Sequence, residues 1–318
     1  MSHHAYRTFR TTVARLTPLS PNFTRVTLTG EELQHFGTDG LDQRIKLMFP
    51  FRDGSVTDVG QFDETQNQSE WYRRWRELPD ELRNPIRTYT IRAPRPWDRE
   101  IDVDFVLHGT DGPASAWATD AQVGDPLCVV GPDARSEQRG SGIEWRPGSA
   151  ISVLIAGDET AVPAICSIVE SLDDHVTGEV CIEVPVAADA LPLRAPSGVR
   201  VTWLPRNGAV HGMRLSAAVH AWGRERAASA VESAAASAGA DDTTTAELPD
   251  VTDDEVLWEV PEAAPTALAT EQKTEYAWLA GEAGTITALR RHLVRNLGID
   301  RRSIAFMGYW RAGRAEAS

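Results

Sequence analysis

Two domains in succession, an antiparallel Greek-key β-barrel and then a doubly wound parallel α/β domain, are what this sequence predicts. Three observations carry the prediction. The first ~145 residues hold short strand-like runs, repeated turns and few helical stretches, the pattern of a closed antiparallel barrel. Ile151 to Ala156 is then apolar apart from Ser152, as expected of a strand covered on both faces. Beyond it, strand-like and helix-like stretches alternate, which implies a parallel sheet with helices on both sides. The boundary falls so that residues 1–147 form the barrel and 148–318 the α/β domain, with an acidic, Ala-rich insertion near 224–270.

Tyr6 to Thr29 reads as two strands around a turn at Pro18 to Asn22, the second alternating through Val26-Thr27-Leu28-Thr29 before Gly30. Asp42 to Pro50 is a further strand, with Ile45, Leu47 and Phe49 on one face and Lys46 on the other. Phe51 to Asn84 is a polar insertion. Within it Trp71, Trp75 and Leu78 stand at i, i+4 and i+7, so they form one face of a short helix with the neighbouring arginines outside. That spacing outweighs a nucleic-acid or membrane reading of the Trp/Arg cluster.

The centre of the barrel region is RTYTIRAPRPWDREIDVDFVLHGTDGPASAW, Arg87 to Trp117. Arg87 to Arg92 is β-branched and aromatic and reads as a strand. After a Pro-rich turn, Ile101, Val103, Phe105 and Leu107 alternate with Asp102, Asp104, Val106 and His108. Gly112-Pro113-Ala114-Ser115 then opens a helix, Pro113 near its first position. Unpaired N–H groups and the positive dipole end there suit a pyrophosphate. A last barrel strand covers Pro126 to Gly131.

In the second half, Gly157-Asp158-Glu159-Thr160-Ala161-Val162-Pro163 follows the apolar strand, and Thr160 is placed to cap a helix with Ala164, Ile165, Ile168, Val169 and Leu172 as its stripe. Strands are expected at Glu179 to Val186, Val199 to Pro205, Tyr276 to Ala280 and Ser303 to Tyr309. Helices are expected at Leu215 to Trp222 and Thr285 to Leu297, the latter ended by Gly298. Arg224 to Thr270 reads as an exposed helix fading into a flexible insertion.

Bulk properties narrow the chemistry. The formal net charge is −14 over 318 residues, a field that repels nucleic acid, and no nucleic-acid-binding motif offsets it. The longest apolar run falls far short of the ~20 residues of a membrane span. MSHHAYRTFR carries no secretory signal. Cys128, Cys166 and Cys181 are odd in number and sit in apolar settings, which implies free buried thiols and a cytoplasmic location. Three cysteines are too few for a typical iron–sulfur cluster, and no His pair has metal-ligand spacing, so no resident metal is expected.

The text R-x-Y-T at Arg87 to Thr90, then DFVLHG running into GPASAWA, resembles the siderophore-interacting branch of ferredoxin-reductase-like flavoproteins. G-D-E-T-x-x-P at Gly157 to Pro163, W-x-A-G-E at Trp278 to Glu282 and G-Y-W-R-x-G at Gly308 to Gly313 resemble the same family, in the same order. The resemblance covers nearly the whole chain and fails across Arg224 to Thr270. It implies an FAD-binding barrel and an NAD(P)H-binding α/β domain. The flavin site falls on Arg87 (phosphate), Tyr89 (isoalloxazine), Thr90 (near N5), Arg92, Val106, His108, Gly112, Ala114, Ser115 and Trp117, with Trp310 approaching from the nicotinamide side. Strict alternation separates Tyr89 from Thr90, so Thr90 acts through its backbone or a local twist. The nucleotide site falls on Gly157, Asp158, Glu159, Thr160, Pro163, Gly281 and Glu282. Arg206, just past a strand end, is either a holder of a 2′-phosphate or a loop arginine. Trp310 is alternatively a lid over the last strand. Lys46, in a D-Q-x-x-K-L-x-x-P setting like the family's, faces a ligand or is a solvated barrel lysine; Arg311 is a second candidate for the substrate.

The activity implied is an NAD(P)H-dependent ferric-siderophore reductase that releases iron as Fe(II), with no catalytic acid or base required. A flavin-bearing siderophore-binding protein without its own turnover, and a general NAD(P)H:flavin or diaphorase-type oxidoreductase, are the alternatives. NADPH and NADH are not distinguished, nor is the siderophore. The oligomeric state is open, a monomer being plausible.

Overall fold

The structure is a computed structural model that describes residues 3–66, 68–109, 112–138, 140–236, 258–260 and 275–313. The first half contains β1 (Tyr6–Ser20), β2 (Phe23–Thr29), β3 (Arg44–Met48), α1 (Gln68–Glu77), β4 (Ile86–Thr90), β5 (Ala93–Arg95), β6 (Glu100–Val106), α2 (Pro113–Asp120) and β7 (Pro126–Pro132). The seven strands form one sheet in the order β4-β3-β7-β1-β2-β6-β5, antiparallel at every pairing. Its two edge strands are consecutive in the chain, with only Ile91 and Arg92 between them. Ile91 N–H donates to Gln43 O at 3.0 Å and Arg92 N–H to Asp102 O at 2.9 Å. One continuous segment therefore runs from one edge of the sheet to the other and curls it into a half-barrel.

Alternation decides the barrel's interior. Ile101, Val103 and Phe105 of β6 pack inside with Phe9, Val26, Leu28, Ile45, Leu47 and Val129. The outward Asp102 and Asp104 are nonetheless buried, because arginines close over them. Arg95 grips Asp102 at 2.7 and 2.8 Å, and Arg25 grips Asp104 at 2.7 and 2.9 Å. Burial alone would raise Asp102, but the Arg95 and Thr27 hydrogen bonds outweigh it and hold its pKa below the usual value. The Trp spacing in the polar insertion does produce a helix: Trp71 and Trp75 of α1 are buried on Met48, Ile86 and Val130, and Trp75 Nε1 donates to Asn84 O at 2.9 Å.

The second half contains β8 (Ser152–Gly157), α3 (Val162–Glu170), β9 (Thr177–Val184), β10 (Val199–Pro205), α4 (Met213–Ala236), β11 (Trp258–Glu259), β12 (Glu275–Glu282), α5 (Ala283–Arg291) and β13 (Ile304–Trp310). The order is β10-β9-β8-β12-β13-β11. All pairings are parallel except that of the short edge strand β11 with β13. On β8, Val153 and Ile155 pack against Ile165 and Val169 of α3, while Leu154 and Ala156 pack against Ile286 and Leu289 of α5. An unbroken apolar run is what a strand covered on both faces needs. The chain reverses direction across the sheet between β8 and β12, so the crevice at their carboxyl ends is where such a fold places a ligand.

Four local expectations are corrected. Asp158, not Thr160, supplies the cap after β8, its Oδ1 accepting from Thr160 N at 2.9 Å; a carboxylate two positions earlier reaches the same turn. The expected helix at Leu215 to Trp222 runs on to Ala236, because the alanines that follow are good helix formers. The expected helix at Thr285 to Leu297 is α5 plus one wide π-helical turn, His292–Asn296, before Gly298 at φ +66°. β1 continues through Pro18 to Ser20, so the first turn is shorter than Pro18 to Asn22. Of the insertion, only its helical start and residues 258–260 lie within the described residues.

The halves meet through buried polar contacts. Asp42, just before β3, accepts Trp278 Nε1 at 3.0 Å and the N–H groups of Glu144 and Trp145 at 3.1 Å. Buried Asp189 accepts Ser20 Oγ at 2.7 Å and Asn22 Nδ2 at 2.8 Å. Phe23 and Val106 of the barrel join the apolar layer under α3.

Candidate functional site

The strand β4 puts successive side chains on opposite faces. Tyr89 lies against Phe105, ring centroids 4.6 Å apart, in a cluster that continues through Trp117 and Phe49. Thr90 faces away from it, toward the Tyr309 hydroxyl of β13. Alternation thus holds here without a twist. Burial, and after it the charge of Asp42, keep Tyr309 well above the ordinary tyrosine pKa, so its hydroxyl stays protonated.

Arg87 is half-buried, with Nη1 donating to Ile86 O at 2.8 Å. Arg92 reaches across the seam instead, pairing with Glu170 of α3 at 2.7 Å while its carbonyl accepts Ser167 Oγ at 3.2 Å. Val106 and His108 end the neighbouring strand. Ser115 is buried, and its hydroxyl donates to Gly109 O at 2.6 Å and accepts from His108 N at 3.2 Å. That hydroxyl fastens the turn to the first turn of α2. No side chain caps this helix at Gly112, so its leading N–H groups, Ala114 among them, suit a phosphate. The donor set and the aromatic cluster both fit a flavin dinucleotide.

At the crevice between β8 and β12, Asp158 is the centre of a hydrogen-bond network. Oδ1 accepts Thr160 N–H at 2.9 Å and its hydroxyl at 2.5 Å; Oδ2 accepts Glu282 N–H at 2.7 Å and Trp310 Nε1–H at 2.9 Å. Gly281 makes room: a Cβ at this φ +149° position would come within 2.5 Å of Asp158 Oδ2. Gly157 is equally confined, and Pro163 fills the first turn of α3. Glu282 accepts Thr285 N–H at 2.7 Å and so caps α5.

Beside Asp158, Arg206 grips Glu159 with two 2.6 Å hydrogen bonds and approaches Glu183 at 3.4 Å. His211 stands over the pair of acids, Nε2 3.6 Å from Asp158 Oδ2 and 3.4 Å from Glu159 Oε2, with its ring edge-on to Trp310 at 4.9 Å. Burial and the adjacent Glu159 charge raise Asp158. Burial would raise Glu159 as well, but His211 and Arg206 hold it down to about 2. His211 is raised, its burial outweighed by the two carboxylates. The three side chains could enclose a cation, but every carboxylate oxygen already accepts a hydrogen bond, and a metal would have to displace an arginine.

Two groups of predicted residues thus form separate clusters, joined by β13. Its Tyr309 goes to Thr90 and its Trp310 to Asp158. Lys46 lines an open cleft of about 390 Å³ with His4, Tyr6, Arg44, Gln68 and Ser69, and no carboxylate is among the lining residues. Its ammonium lies 3.4 Å from Thr88 Oγ1 and 5.7 Å from the centre of the Tyr72 ring. Arg311 is not among the residues lining this cleft. Sequence reading missed Asp42, His211, Tyr309 and Trp258. Tyr309 was visible as part of G-Y-W-R and Asp42 as the start of D-Q-x-x-K-L-x-x-P; His211 and Trp258 lie in a loop and in the insertion and carry no local pattern. Trp258 stacks on Tyr309 at 6.0 Å and 19°, and the Arg44 guanidinium sits 4.7 Å from its ring centre.

Comparison with known proteins agrees with this geometry. The ferric vibriobactin reductase ViuB of Vibrio cholerae is 31% identical over 189 residues, 59% of this chain and 63% of that one. The NADPH-dependent ferric-chelate reductase of Escherichia coli is 32% identical over 213 residues, 64% of this chain and 74% of that one. A solved siderophore utilization protein from T. fusca superposes with a TM-score of 0.68 at 25% identity, covering 100% of this chain and 97% of that one. The chain spans about three-fifths of the length of the first curated relatives it matches, 62% for uncharacterized mycobacterial proteins. Residues 12–136 match the siderophore-interacting FAD-binding domain and residues 150–313 the siderophore-interacting protein family. The chain belongs to the siderophore-interacting protein family.

Proposed function

We propose that the chain is an NAD(P)H-dependent, FAD-containing ferric-siderophore reductase that releases iron as Fe(II) in the cytoplasm. Residues 1–147 hold the flavin and 148–318 the nucleotide. The observation that carries this reading is the end of β13. Adjacent residues Tyr309 and Trp310 reach the R-x-Y-T strand on one side and the β8/β12 crevice on the other, so two candidate cofactor sites meet at one strand terminus. The names of the Vibrio and Escherichia relatives supply the acceptor and the donor class.

Arg87 and the open first turn of α2 hold phosphate, while Tyr89 and Trp117 wall an apolar ring site. Gly157 to Thr160 and Gly281-Glu282 form the floor of the nucleotide crevice. Bound there, FAD would supply the means of taking a hydride from NAD(P)H and of delivering electrons singly to ferric iron, which as Fe(II) binds hard oxygen donors more weakly. The chain's own task is to position and to exclude water. Trp310, held by Asp158, borders the entry to the crevice, and the protonated Tyr309 stays on Thr90. Lys46 lines the cleft beside Arg44, whose guanidinium lies 3.7 Å from Glu144, and is the candidate contact for an anionic chelate on a protein of net charge −14; Arg311 is a second candidate contact. Among the described residues no helix is long and apolar enough to cross a membrane.

Visible spectroscopy of the purified protein tests the reading. Flavin bands that bleach anaerobically with NADH or NADPH and return on adding a ferric siderophore are expected. A flavin-loaded protein that neither nucleotide bleaches would favour the siderophore-binding alternative instead.

A further inference from the structure

We infer that the Glu159–Arg206 pair makes this protein select NADH over NADPH. The inference rests on the reductase reading in one respect, that a pyridine nucleotide lies across the β8/β12 crevice. In a fold of this kind the adenosine ribose falls beside the carboxyl ends of the strands on one side of β8, here β9 and β10. There a carboxylate accepts a free 2′-hydroxyl, or an arginine holds a 2′-phosphate. Arg206, directly after β10, is the arginine at that place, but its charge is already used.

Both terminal nitrogens of Arg206 lie 2.6 Å from Glu159 oxygens, and Nη1 is 3.4 Å from Glu183. The Arg206 and Glu159 side chains are 12% and 11% exposed, and Glu183 is fully buried. Glu183 cannot turn away, since its two oxygens accept Gly212 N–H at 2.7 Å and Leu215 N–H at 2.8 Å at the start of α4. Asp158 adds a further carboxyl, and His211 stands 3.6 Å from Asp158 and 3.4 Å from Glu159. A 2′-phosphate dianion would have to break a short bidentate pair and leave Glu159 buried without its guanidinium, which is strongly unfavourable. A ribose diol needs no such rupture, because Glu159 can accept its hydroxyl hydrogen while still bound to Arg206. The discrimination is thus built from a repulsive element as much as an attractive one.

The test has two arms. In the first, kcat/KM is measured for NADH and NADPH with the flavin-loaded wild type and with Glu159→Gln. The wild type should favour NADH by about tenfold or more, and Glu159→Gln should narrow that ratio by about tenfold. In the second, calorimetry ranks AMP against 2′,5′-ADP on the same proteins. The wild type should bind AMP at least as tightly, and Glu159→Gln should gain affinity for 2′,5′-ADP, a gain that shrinks with added salt. A wild type that prefers NADPH, or binds 2′,5′-ADP more tightly than AMP, overturns the inference whether or not the variant folds. So does a folded Glu159→Gln protein with unchanged selectivity, or binding of neither adenosine ligand. If neither nucleotide bleaches the flavin while the calorimetric ranking stands, the reductase reading fails and the selectivity of the site survives.

Discussion

Trp310 donates its indole N–H to Asp158 Oδ2 at 2.9 Å, which ties the last strand of the chain to the turn after β8. Trp310 is a half-buried residue held by one hydrogen bond and by the edge of His211. Trp310→Phe keeps a ring but removes the donor, so Asp158 loses one of its partners. We expect a stability loss of about 1–3 kcal/mol in urea titrations, full flavin retention and a changed rate of flavin bleaching by NAD(P)H. An unchanged unfolding midpoint would show that the indole does not anchor the strand.

Arg87 can be tested through the cofactor alone. A guanidinium on a phosphate makes a charge-assisted contact, so Arg87→Ala should weaken FAD retention by about 1.5–3 kcal/mol. The check is the flavin-to-protein absorbance ratio after purification and a titration of the apoprotein with FAD. Full occupancy with unchanged affinity removes Arg87 from the flavin site.

How far the sequence shows this site depends on how each residue is held. The β6 alternation and the apolar β8 run report their burial directly, because strand period and sheet coverage are local properties. The β8/β12 crevice follows from the same strands, since glycines in G-D-E-T and A-G-E mark close approach. The partners of those residues were hidden. Arg206 reads from the sequence as either a 2′-phosphate holder or a loop arginine, with no sign of Glu159 and Glu183 as its partners, and His211 has no pattern at all. Asp42 reads as the first residue of a strand, yet it accepts the Trp278 indole from the other half of the chain. Long-range pairing leaves no trace in local periodicity.

Tyr309→Phe probes the contact between the halves. The substitution removes the hydroxyl that meets Thr90 and keeps the ring on Trp258. A loss of about 1 kcal/mol is expected for one neutral hydrogen bond, together with a shift in the visible spectrum of the bound flavin if Thr90 lies against it. A stability loss with an unmoved spectrum would place Thr90 away from the ring system.

The insertion separates into parts that should behave differently. Gly239 to Glu255 lies outside the described residues, and deleting it should leave flavin content and turnover nearly intact. Trp258, beyond that stretch, is docked between Tyr309 and Arg44. Trp258→Ala should cost about 0.5–1 kcal/mol from the exposed cation–π contact, with a further loss from the stack. Thermal melts of the two variants, compared side by side, decide whether the docking matters.

The pH dependence of stability should carry the signature of His211. Its folded pKa is raised, since Glu159 and Asp158 outweigh the effect of burial, while in the unfolded chain it stays near 6.5. A raised value means the imidazolium is favoured by folding. The stabilisation is fully present below pH ~6.5 and is lost as pH rises through the higher folded value. Glu159 works at the other end: held down to about 2, it stabilises above the ordinary carboxylate range and loses that contribution as pH falls toward its folded value. His211→Asn should therefore lower the melting temperature most near pH 6 and progressively less toward pH 9, with the wild-type and variant curves converging on the alkaline side. Curves that stay parallel from pH 6 to 9 would mean that His211 is held as a neutral ring, and that the two carboxylates are balanced by Arg206 and by the donors of Thr160, Glu282 and Trp310.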